Sequence, residues 1–167
     1  MDGSEDVRRD LLERHGEDLR SQLTELAGKV ELNVRAVYEE DVLLREIVSE
    51  DPEVARLRDV VRDRPEDATY YERIRLGELV ARAIEARRQR EAQAIIDSLA
   101  PETLAADIAA PAHERVVVSV SFLVARARLD AFDDLLEAVA RDRAGRIRFK
   151  LTGPRPPHSF VELSGAV

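Results

Sequence analysis

Cysteine is absent from this 167-residue sequence. That removes disulfides, thiolate zinc ligands and thiol nucleophiles together, so the fold needs no oxidising compartment. Long apolar runs are missing as well. The longest uncharged stretch, Val116–Ala125, is far short of the roughly 20 residues a membrane helix requires. The opening MDGSEDVRRD has no apolar signal core, and the expected location is cytoplasmic. Positive charge is not in excess: 26 basic residues face 34 acidic ones, a net charge of −8. Phosphate backbones draw on the opposite balance, so nucleic acid is not an expected partner. Lysine is scarce, with only Lys29 and Lys150 among the 26 bases. Phosphate-loop, dinucleotide-loop, nucleophile-elbow and HExxH patterns are all absent, and with them the usual marks of an enzyme.

What is present, 44% apolar and 36% charged residues, describes a folded chain of one-domain size. Residues 5–26 carry Val7, Leu11, Leu19, Leu23 and Leu26 on one helical stripe together with His15, and Gly28 follows as a stop. Residues 1–27 are thus expected to be an amino-terminal helix. Val30, Leu32, Val34, Ala36 and Tyr38 then alternate with polar neighbours as a half-buried strand. An acidic helical insertion is expected at about 39–66, broken at Asp51-Pro52. Residues 69–99 predict a long helix, with Thr69 and Glu72 spaced as a capping box. Leu104–Ala109 reads as a short strand. Val116–Val124 reads as a central one, with Val116, Val118, Val120, Phe122 and Val124 on one face and Val117, Ser119, Ser121 and Leu123 on the other. A helix over 130–143 and a strand of Ile147, Phe149 and Leu151 follow, and Gly153-Pro154 is expected to block any further ladder.

Over residues 28–167 this order gives an α+β fold, a modified ferredoxin-like βαββαβ antiparallel sheet with a long helix, a helical insertion and an amino-terminal helix. Its two central strands are the two most apolar ones, as that fold demands.

No candidate for catalysis, cofactor or metal emerges. His15 shares an apolar stripe and reads as a core or boundary residue; His113 and His158 lie in turns. Asp130, Asp133, Asp134 and Glu137 could hold a cation weakly, but they read more simply as acids matching a helix dipole.

Charge is distributed unevenly. Residues 141–167 hold six bases and two acids, whereas residues 39–53 hold seven acids and one base. Strand alternation puts Arg146, Arg148 and Lys150 on the sheet face away from the helices, joined by Lys29 and Arg35, with Val37, Val117 and Leu123 as apolar spots among them. Such a face can simply be wet. It can equally bind a protein, with Phe160 as an apolar anchor beside it. The acidic insertion is its natural complement, either within the molecule or from a neighbour. A small-molecule-binding regulatory domain and an oligomerisation module are the rival readings.

Gly28-Lys29-Val30-Glu31-Leu32-Asn33-Val34 resembles the G-[RK]-V-E-W-x-V strand motif of the GvpL/GvpF gas vesicle proteins. Tyr71–Pro101 is similar to that family's long helix. Phe122-Leu123-Val124, Asp130-Ala131-Phe132 and Leu151-Thr152-Gly153-Pro154-Arg155-Pro156-Pro157-His158-Ser159-Phe160-Val161 resemble its carboxy-terminal block, which usually ends LTGPWPPYSFV. Leu32, Arg155 and His158 depart from that pattern. The resemblance implies the family's carboxy-terminal domain, without its amino-terminal α+β domain. It also implies a non-enzymatic assembly factor located at the gas vesicle, binding the hydrophobic shell protein and other accessory proteins, with self-association as a further expectation. No cofactor and no catalytic residue belong to that role.

Overall fold

The computed structural model describes residues 15–162. Helix α1 covers 15–25; the earlier part of the expected helix, with Val7 and Leu11, lies outside the described residues. Then come β1 (Lys29–Tyr38), α2 (Glu40–Glu50), α3 (Pro52–Asp63), α4 (Tyr70–Leu99), β2 (Ala105–Ala109), β3 (Val116–Ala125), α5 (Leu129–Asp142) and β4 (Ile147–Arg155). The four strands form one antiparallel sheet in the order β2-β3-β1-β4. That is the ferredoxin-like order, with β1 and β3 central.

The alternation in β1 sends Val30, Leu32, Val34, Ala36 and Tyr38 to the helix side, each at most 2% exposed. Opposite them on β3 stand Val118, Val120, Phe122 and Val124. Phe122 meets Phe132 of α5 at a centroid distance of 5.7 Å, and Ile95 and Leu99 of α4 complete the layer. Helices α2 to α5 supply the residues that cover this face. Helix α4, about 45 Å long for its 30 residues, buries its carboxy-terminal end there and rests its first half on α3. Asp51 ends α2 and also caps α3: its carboxylate accepts the amides of Glu53 (2.9 Å) and Val54 (3.2 Å), with Pro52 in the first turn.

Three local expectations are corrected. The Thr69 hydroxyl makes no cap to α4; it donates back to the carbonyls of Pro65 and Glu66 and accepts from Arg73 Nε. A hydroxyl that finds acceptors in the preceding turn no longer needs the capping-box partner. On β3 the register slips between Ala36 and Val37, so Val116 pairs with Val37 and Val117 joins the helix-side core. One extra residue in a ladder reverses the faces beyond it. The last strand also does not stop at Gly153-Pro154. A bulge opposite Leu32 absorbs both residues, and Arg155 resumes pairing with Glu31. Gly153 makes this possible: its φ is +129°, and a Cβ there would lie 2.8 Å from the Glu31 carbonyl oxygen.

Candidate protein-binding face

The helix-free face of the sheet is built from the alternate residues of the same strands. Arg35 pairs with Lys150 on β4, and Val37 pairs with Arg148. These four residues, with Phe149, line a shallow concavity of about 310 Å³. Arg148 is largely exposed and reaches Glu39, at the start of α2, at 2.5 Å. An Arg35 Nη lies 3.5 Å from His113 Nε2, while Arg35 Nε is buried without a hydrogen-bond partner. Three cations with an aliphatic centre make a surface suited to an acidic, partly apolar protein segment.

Not every residue expected on this face is there. Arg146 turns to the helix layer, where its Nε donates to Glu46 of α2 at 2.8 Å. The cause is local: Arg146 precedes the first ladder residue, so strand alternation does not govern it, and a carboxylate lies within reach. Glu46 also accepts from Arg87 of α4 at 3.2 Å, and Arg87 pairs with Glu50. Glu91 holds Arg143 at 2.5 Å. Among these charges sits Tyr38, whose buried hydroxyl has no hydrogen-bond partner. Burial, reinforced by Glu91, pushes its pKa up to about 12. Lys29 opens β1 opposite Ala125, six residues or about 20 Å along the strand from Arg35. It lines a separate cleft with Pro156, Pro157 and His158. Phe160 is half-buried in the turn His158–Phe160, at that same end.

Between Lys29 and Arg35 lies the residue that sequence reasoning missed. Glu31 points to the helix-free face yet is 0% exposed, because the chain after β4 folds over it. Arg155 donates to Glu31 Oε1 through Nε (3.1 Å) and Nη2 (2.5 Å). The Ser159 amide donates to Oε2 at 2.9 Å and the Ser159 hydroxyl to Oε1 at 2.8 Å. Burial alone would raise the Glu31 pKa. The Ser159 amide, Arg155 and the Ser159 hydroxyl outweigh it and hold the value at about 2. The signal was available: GKVE and TGPRPPHSF, two of the motifs behind the family resemblance, meet at this carboxylate. Farther along, the Gln22 amide of α1 brackets the Glu162 backbone at 2.6 and 2.9 Å, tying helix to tail. Among the described residues no group of three His, Asp or Glu side chains is placed to hold a metal ion.

A ferredoxin-like α+β module, with helices on one sheet face and the other covered by the tail only at its Glu31 end, is the class these features define. The family model for gas vesicle synthesis protein GvpL/GvpF matches residues 1–162, and the chain belongs to that family. Gas vesicle protein F of Streptomyces sp. (strain CB03234) is 31% identical over 153 residues, covering 91% of this chain and 63% of the relative. The protein of the same name from Dolichospermum flosaquae is 20% identical over 159 residues, covering 95% of this chain and 64% of the relative. The crystal structure of GvpF from Anabaena sp. PCC7120 superposes with a TM-score of 0.81 at 21% identity, over 95% of this chain and 64% of that one. GvpF from Microcystis aeruginosa gives 0.74 at 19%, over 95% and 65%. The chain thus spans slightly less than two thirds of the length of these relatives.

Proposed function

We propose that this chain is a non-enzymatic accessory protein of gas vesicle formation, which holds the shell protein or another vesicle protein against its helix-free sheet face. The observation that carries this reading is the Arg35–Val37–Arg148–Lys150 surface, left uncovered beside a core already satisfied on the other side. Family membership supplies the context, and the relatives are named for the vesicle. The partner segment this surface fits presents carboxylates around a small apolar centre, in the cytoplasm or at the vesicle surface. Lys29 and Phe160 would act, if a long partner runs the length of β1, as a second contact beyond the Glu31 tie. No bond is made or broken in this role, so catalytic groups are not required.

The test is co-purification from cells producing gas vesicles. The wild-type chain should retain a vesicle protein, and the double variant Arg148→Glu/Lys150→Glu should lose it while its helical circular dichroism stays unchanged. Equal retention by a folded double variant removes this face from the account.

A further inference from the structure

The two edges of the sheet are treated differently. The β4 edge carries Arg148, Lys150, a bulge and Pro154, the devices that keep sheet edges from pairing. The β2 edge is protected only by its shortness, by Asp107 and by an irregularity where Leu104 and Ala105 share Leu123. Its five residues, Ala105-Ala106-Asp107-Ile108-Ala109, are all exposed and include no lysine, arginine or proline. The exposure runs from residue 104 to residue 115, and within the strand Asp107 is the one charged residue, in a chain that is 36% charged. Leu104 is 57% and Ile108 59% exposed. Ile108 falls on the helix side of the sheet, since it pairs with Val120, whereas Leu104 precedes the strand and donates its amide to Leu123. Among the described residues no strand pairs with the outer edge of β2.

We infer that this edge pairs antiparallel with the β2 edge of a second copy, across a two-fold axis through Ala106. That register sets Ala106 opposite its own equivalent and brings Ile108 of each copy to the point where the other copy's chain enters its strand. It puts Asp107 opposite the small Ala105. Moving the axis one residue to Asp107 would instead set two carboxylates face to face, which opposes pairing. The Ala106 register is therefore self-complementary in charge, a condition a two-fold interface imposes. The product is a continuous eight-stranded sheet with the helices of both copies on one side. The two helix-free faces then form a single surface, displaying Arg35, Arg148 and Lys150 twice.

The absence of cysteine makes the register directly readable. Residues opposite each other in an antiparallel pair have Cα atoms about 4.5–5.5 Å apart, inside the roughly 4.4–6.8 Å range of disulfides. An Ala106→Cys variant should therefore oxidise to a covalent dimer far faster than Ser49→Cys, an exposed site on α2. Light scattering across a dilution series should show wild type approaching twice its 18.8 kDa chain mass. Ile108→Lys, at an exposed position, should shift it to monomer with circular dichroism unchanged. Wild type that stays monomeric throughout, or crosslinking at residue 106 no faster than at residue 49, overturns the inference. So does a monomer whose retention of a vesicle protein falls with Ile108→Lys, because that assigns the edge to the other protein.

Discussion

At the scale of single residues, Glu31 is the most consequential side chain outside the core. A carboxylate at 0% exposure survives only because four donors surround it. Its pKa falls from 4.5 to about 2 on folding, so the ionised form is favoured by the native state. The resulting stability is complete above pH 4.5 and is lost as pH falls towards 2. Discounted for the half-exposed Arg155, the contribution is about 2 kcal/mol. Glu31→Gln should lower the urea-derived unfolding free energy by that amount at neutral pH. It should also flatten the acid limb between the two pKa values, because the variant has no carboxylate there to protonate. Equal acid limbs in variant and wild type would show that the tail does not depend on this charge. Periodicity could not identify Glu31, since it marks the residue as outward-facing and the burial comes from residues more than a hundred positions later. The two motifs held the information but not the contact between them.

At the scale of elements, most of the sheet was legible because alternation and β-branched residues report directly on a half-buried strand. The points that escaped are where one residue breaks the period. Alternation alone puts Val117 on the open face, because a bulge leaves no mark in an uninterrupted Val-Val-Val run. Gly153-Pro154 looked like a terminator, yet the ladder passes it with a glycine close against β1. Gly153→Ala should therefore cost about 2 kcal/mol, from a side chain at positive φ meeting a backbone carbonyl; thermal unfolding reads this, and an unchanged midpoint would deny the close approach. The helical insertion depends on Asp51, which ends one helix and caps the next. Asp51→Ala should cost about 1 kcal/mol and reduce helical ellipticity. A loss of neither would place the α2–α3 corner under the control of Pro52 alone.

At the scale of the whole molecule, the charge asymmetry of the sequence resolves into two parts. The acidic insertion is largely matched within the chain: Glu39 with Arg148, Glu40 with Arg115, Glu46 with Arg146 and Arg87, Glu50 with Arg87, and Glu53 with Arg75. The sign of each segment could be read in advance, but which acid takes which base depends on where α2 packs. This is why Arg146 moved from the open face to the helix layer. What remains on the helix-free side is a smaller patch than charge counting implied: Arg35 and Lys150 around Val37, with Arg148 shared with Glu39, residues that strand alternation places on one face. Paired surface charges contribute little to stability, so these side chains can be reversed without unfolding the chain. The most direct test of the account is therefore an equilibrium titration of the gas vesicle shell protein against wild type and Arg148→Glu/Lys150→Glu, at matched unfolding midpoints. The account predicts at least a tenfold weaker affinity for the double variant, corresponding to about 1.4 kcal/mol, and a wild-type affinity that falls with added salt. Identical affinities that ignore salt would contradict it.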